Sequence, residues 1–133
     1  MAAMNPPRVH HIAVKVVDLA AAEAFYVGVL GLPVLRRWPS ADGTGERSLW
    51  LDLGAESFLA LERTDHGDER PDDEAAGFHL VALHIDARER AAWIAKLAQA
   101  GHPVYHQTPH TIYVRDAEGN RIGLSHWPRQ AGD

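Results

Sequence analysis

With 133 residues, 46% hydrophobic and 23% charged, the chain has the size of one domain and enough apolar side chains for a real core. Its net charge of -5, with both signs interspersed, provides no basic stripe for phosphates and sets nucleic acid aside as a partner. Cysteine is absent, which removes disulfides, thiolate nucleophiles and thiolate metal sites, so any metal must rest on His, Asp or Glu.

No apolar run approaches the roughly 18 residues of a membrane span, and the opening MAAMNPPRVHH carries no charged-then-apolar pattern, so the expectation is a cytoplasmic protein with no membrane partner. Residues 10–17, HHIAVKVV, alternate. Ile12, Val14 and Val16 fall on one face, and His11, Ala13 and Lys15 on the other, which predicts a half-buried strand. Asp18 is placed as an N-cap, Leu19 to Leu30 is rich in Ala and aromatics, and Gly31 follows where a left-handed C-terminal residue is needed; this predicts a helix. Strands are expected at Leu35, Leu49 to Leu53 and Phe58 to Leu61, with turns around Pro39 to Gly45 and near Gly54.

The segment 64–76, TDHGDERPDDEAA, has neither helical nor strand period and reads as a linker whose acids (Asp65, Asp68, Glu69, Asp72, Asp73, Glu74) form a solvated surface. The pattern then restarts. A strand from Leu80 to Ile85 precedes Asp86, an N-cap with Glu89 placed as in a capping box. The helix beyond carries Trp93, Ile94 and Leu97 as its stripe and ends at Gly101, and strands follow at Val104, Ile112 to Arg115 and Arg121 to Ser125.

The two halves repeat in detail. Gly31-Leu32-Pro33-Val34 lies over Gly101-His102-Pro103-Val104 at a shift of 70, and Val16 over Ile85 at 69. Ser48-Leu49-Trp50-Leu51 lies over Thr111-Ile112-Tyr113-Val114, and Leu59-Ala60-Leu61 over Ile122-Gly123-Leu124, both at a shift of 63. The expected architecture is α+β: one domain over 1–133 made of two βαβββ modules, 9–63 and 77–128, whose paired mixed sheets enclose a cavity. Alternation assigns His11, Ala13, Trp50, Phe58, Ala60, Glu62, Leu80, Ala82, His84, Tyr105, Tyr113, Arg121, Gly123 and Ser125 to its lining. These are aromatic and small residues with a few polar groups, the composition of a small-molecule pocket. Aromatics on an inner sheet face can equally be plain core, but His, Glu, Arg and Ser among them fit a dry core poorly. Trp50 and Tyr113 come to equivalent places, suited to a flat ligand whose polar edges His11, Glu62 and Arg121 could satisfy.

The phrases HHIAVKVVDL, AEAFYVGVLGLPV and TIYVRDAEGNRIGLSHWP, with their spacing over residues 9–128, resemble the vicinal oxygen chelate superfamily, which includes glyoxalase I, extradiol dioxygenases, fosfomycin-resistance enzymes and bleomycin-binding proteins. The resemblance implies the glyoxalase/bleomycin-resistance fold and commonly a homodimer. It also places the metal ligands of the metal-dependent members at His11, Ala60, Leu80 and Gly123, where only His11 can coordinate. A rescued site would need Glu62, roughly 7 Å along the strand from Ala60, with His79 or His84. His102, His106 and His110 recur every four residues, but Pro103 and Pro109 break the helix that would align them. Ser125 and His126 point to opposite strand faces and make no nucleophile pair. Two functions remain. One is a small-molecule binding protein with a degenerate metal site and no assigned cofactor, its ligand met by His11, Trp50, Phe58, Leu80, His84, Tyr105, Tyr113, Arg121 and Ser125. The other is a divalent-metal enzyme, a lyase, isomerase or dioxygenase, with His11 as ligand and Glu62 as catalytic base or further ligand.

Overall fold

The computed structural model describes residues 3–67 and 72–133. The chain divides into two compact units, Met1–Gly67 and Asp68–Asp133, each a four-stranded mixed sheet with one helix. Unit 1 comprises β1 (His11–Val16), α1 (Leu19–Glu23) continued by a π-helical segment (Ala24–Val29), β2 (Val34–Pro39), β3 (Glu46–Gly54) and β4 (Ser57–Arg63). Unit 2 comprises β5 (Val81–His84), a 3-10 turn (Ala87–Glu89), α2 (Arg90–Gln99), β6 (His106–Gln107), β7 (Thr111–Arg115) and β8 (Arg121–Ser125). The strand orders are β1-β4-β3-β2 and β5-β8-β7-β6, with the first pair parallel and the others antiparallel in each.

Register makes the internal repeat physical. In unit 1, Ala60 of β4 pairs with Ala13 on one side and Trp50 on the other. In unit 2, Gly123 of β8 pairs with Ala82 and Tyr113. The two rows are related by the shifts of 69 for the first strand and 63 for the last two that the sequence carries.

Alternation puts the other residues of these strands on the helix side. α1 packs over β3 and β4, and Val16, Leu49, Leu51, Leu59 and Leu61 are at most 1% exposed. Ile112, Val114, Ile122 and Leu124 are at most 2% exposed in unit 2, with Leu97 of α2 at 0%. Arg37, on this side of β2, donates to Glu23 at 2.7 Å and to Glu46 at 3.1 Å. Its hydrogen bond holds the Glu23 carboxyl below the usual carboxylate range and ties the helix end to the sheet.

Four local expectations are corrected. The helix expected over Leu19 to Leu30 is α-helical only to Glu23; beyond it the turns widen, with the Leu30 amide donating to the Phe25 carbonyl at 2.9 Å. Widening lets the sequence neighbours Phe25 and Tyr26, 1% and 0% exposed, both turn inward, which the 100° step of a regular helix opposes. The strand expected at Val104 is β6, two residues later, because Pro103 has no N–H for the ladder; the first bond runs from the Tyr105 amide to the Tyr113 carbonyl at 3.0 Å. Leu80 precedes β5 instead of opening it. The second helix begins with a 3-10 turn, where Asp86 accepts from the Arg88 amide at 2.9 Å and the Glu89 amide turns to the Asp86 carbonyl. The Arg88 side chain, also bonded to Asp86, and that amide hold the Asp86 carboxyl down to about 2.

The linker acids are not all mere solvated surface. Asp73 meets Arg115 at 2.8 Å and Arg121 at 3.5 Å. Asp68 and Glu69 lie outside the described residues. Gly31 and Gly101, at φ +78° and +85°, end the two helical segments in the left-handed conformation that glycine adopts without a Cβ penalty.

Leu49 and Ile112, equivalent under the shift of 63, are both 0% exposed. Leu49→Ala and Ile112→Ala should each lower unfolding free energy by about 2–5 kcal/mol in denaturant melts. Costs under about 1 kcal/mol would mean these side chains do not face the core.

Candidate functional site

On the face of the first sheet away from α1, four rings form a stripe across all four strands. His11 (β1) stacks on its register partner Phe58 (β4), with centroids 4.8 Å apart and planes 6° apart. Phe58 stacks on Trp50 (β3) at 4.4 Å and 24°. Trp50 meets Trp38 (β2) at 5.2 Å, but at 61°. Diagonal cross-strand neighbours of this size are within reach of one another, and the small Ala60 and Ala13 beside Trp50 in its row leave the indole room. His10 adds an edge contact to Phe58 at 5.6 Å.

The stripe is stacked at one end and open in geometry at the other. Around the tilted Trp38–Trp50 contact, three buried polar atoms have no hydrogen-bond partner among the described residues: Trp38 Nε1, Trp50 Nε1 and Ser48 Oγ. Ser48, 1% exposed, is the register partner of Trp38 and of Glu62. Arg36, the register partner of Trp50, holds its guanidinium 3.7 Å from the Trp38 ring centroid, with that of Arg47 at 5.5 Å.

The corresponding face of the second sheet is differently furnished. Tyr113 lies beside Gly123 and Ala82 in its row, with the His106 ring 5.3 Å away. His84 and Ser125 are register partners. The Ser125 hydroxyl accepts from Thr111 Oγ1 at 2.9 Å and donates to the His110 carbonyl at 3.2 Å, so it is committed to the sheet. Arg121 is engaged by Asp73, while Tyr105, 46% exposed, lies under the Arg115 guanidinium at 4.7 Å. His126 is 0% exposed. Its Nδ1 lies 2.7 Å from the Arg129 carbonyl and its Nε2 2.9 Å from Arg90, which makes Nδ1 the donor and Nε2 an acceptor. It thus serves the core, apart from Ser125.

Trp38, Ser48 and Arg36 are absent from the candidates drawn by alternation. The signal for Trp38 and Arg36 lay in RRWPS, where the two share a parity once the strand runs on to Pro39, and that for Ser48 in its parity with Trp50 along β3.

The donor set does not fit a metal. Of the four ligand positions implied by the resemblance, Ala60 and Gly123 offer no donor, Leu80 offers none, and His11 is stacked flat on Phe58. Glu62 pairs with Lys15, while His11 pairs with Phe58 four residues back on the same strand, roughly 13 Å away at strand rise. A Cβ added at Gly123 would meet Thr111 Cγ2 at 3.3 Å and Ala82 Cβ at 3.5 Å, so an acid there would displace a neighbour. Among the described residues no group of three or more His, Cys, Asp or Glu could hold a metal ion. His102, His106 and His110 are separately engaged, by the Arg115 carbonyl, Tyr113 and Gln130 respectively.

A family model for the Glyoxalase/Bleomycin resistance protein/Dioxygenase superfamily matches residues 8–124, and the chain belongs to that superfamily. Solved structures agree on the fold. A glyoxalase family protein from Enterococcus faecalis is 24% identical, with a TM-score of 0.73 over 90% of this chain and 97% of that one. A glyoxalase/dioxygenase from Nostoc punctiforme is 22% identical, with a TM-score of 0.75 over 97% and 99%. An antibiotic binding protein, TnmS3, from Streptomyces sp. CB03234 is 26% identical, with a TM-score of 0.66 over 93% and 98%. No curated protein matches, and no helix among the described residues is long and apolar enough to cross a membrane.

Protein purified without chelator should carry no stoichiometric zinc, iron, nickel or manganese by elemental analysis. His11→Ala should leave the metal content unchanged; a stoichiometric ion lost in that variant would contradict the donor count.

Proposed function

We propose that this chain binds a flat organic small molecule on the helix-free face of its first sheet, without using a metal. The observation that carries this reading is the stripe His11–Phe58–Trp50–Trp38, four rings spaced 4.4 to 5.2 Å apart across the sheet. A core needs apolar area, but not a His and two Trp side chains aligned on the sheet face opposite the helix. Likeness to the Streptomyces antibiotic binding protein, at 26% identity, supports a binding role. The donor set supports the metal-free form of it. A metal-dependent enzyme using His11 and Glu62 gains nothing from the register, which sets those two groups four residues apart. In this reading Glu62 and Lys15, register partners on that face, form the polar margin of the ligand face.

The test is quenching of tryptophan fluorescence by a panel of planar bicyclic and tricyclic compounds. At least one should bind, and Trp50→Ala should weaken it about tenfold, the loss of one aromatic contact together with some burial, while the variant keeps its circular dichroism spectrum. A panel with no binder, or unchanged affinity in Trp50→Ala, would contradict the proposal.

We further propose a homodimer. The support is apolar exposure on the edge strand β2, where Val34 is 37% and Leu35 53% exposed, an edge that a second copy would cover. A sedimentation mass near the 14.6 kDa of one chain at micromolar concentration would contradict it.

A further inference from the structure

We infer that the corner formed by Trp38, Ser48 and Trp50 receives a hydrogen-bond acceptor, such as a ring carbonyl, carried by the flat ligand; this rests on the aromatic-ligand reading and names the ligand's chemistry within it. The four-ring stripe is stacked from His11 to Trp50 and then breaks, with Trp38 tilted by 61° to Trp50. Three buried polar atoms lack a partner at this break: Trp38 Nε1, Ser48 Oγ and Trp50 Nε1. Ser48 is the register partner of Trp38 and lies two residues from Trp50 on the same face of β3.

An indole N–H can only donate, and a hydroxyl can donate as well as accept. Buried donors left unmade are costly and rare in folded proteins, so three at one corner require an explanation. A common core would replace the two Trp residues by Phe and the Ser by Ala at no loss of bonding. The Arg36 guanidinium 3.7 Å from the Trp38 ring adds positive charge, so every unmatched group at the corner favours an electron-rich atom. Glu62, the other register partner of Ser48, borders the corner with its acid. It would disfavour a carboxylate there and leaves a neutral carbonyl as the preferred acceptor.

The experiment compares 9-fluorenone with fluorene, which share a flat tricyclic frame and differ in one ring carbonyl, by equilibrium dialysis against the wild-type chain and three variants. Fluorenone should bind about fivefold or more tightly than fluorene, the worth of one hydrogen bond. Ser48→Ala, Trp38→Phe and Trp50→Phe should each shrink that ratio, whatever they do to the affinity for fluorene. Ser48→Ala removes no bond in the free protein, so its melting temperature should be unchanged or higher, which a structural role for the hydroxyl would not give. Equal binding of the two probes by wild type, or a ratio that survives in all three variants, would overturn the inference and leave the aromatic reading standing. Binding of neither probe would overturn both.

Discussion

Cross-strand register is the constraint on which the rest of this molecule depends. In a sheet the side-chain period is two, so a slip of one residue would send Trp50 beneath α1 and bring Leu49 and Leu51 to the opposite face. The pairing of β4 with β1 and β3 fixes that choice in unit 1, and the pairing of β8 with β5 and β7 fixes it in unit 2. Each sheet therefore has one face given to leucine, isoleucine and valine, and a second face on which one aromatic residue lies beside two small ones, Trp50 with Ala60 and Ala13, Tyr113 with Gly123 and Ala82. Stability rests on the first face. The second is left to other uses.

What unit 1 places on that second face is energetically mixed. Stacked rings contribute roughly 0.5–1.5 kcal/mol per pair beyond the area they bury, and the His11–Phe58–Trp50 run gains two such pairs. Unpaired buried donors cost roughly 1–3 kcal/mol each, and the Trp38–Ser48–Trp50 corner has three. Local rules are obeyed over most of this chain, with capped helices, positive-φ glycines and clean alternation. Among the described residues the unpartnered buried side-chain atoms belong to this corner of one face, the pattern expected of a binding surface, where free-state stability is given up for recognition.

Much of this was legible in the sequence. The shifts of 69 and 63 emerge as the register that aligns the Ala13 row with the Ala82 row, because strand pairing and the hydrophobic alternation obey the same period. The facing of Trp50 and Tyr113 followed from their apolar neighbours alone. The π-helical turns at Ala24–Val29 were not legible, since they answer to the packing of Phe25 and Tyr26 together rather than to any local propensity. Nor was Trp38, whose place depends on how far β2 runs past Leu35. Asp73 could be seen as an acid in a polar stretch, but its grip on Arg115 and Arg121 is a tertiary contact across more than forty positions.

Membership of the superfamily decides the fold and leaves chemistry to the side chains on the second face. Here Ala60, Leu80 and Gly123 offer no metal donor at the positions the resemblance implies, while His11, Phe58, Trp50 and Trp38 form the ring stripe on which the proposed planar guest would lie. The most direct measurement is calorimetric titration of a planar aromatic binder into chelator-treated protein, repeated after adding zinc, nickel or manganese. Equal affinity in both conditions is the result predicted for a surface that works without a metal; binding that appears only when the ion is restored would contradict it.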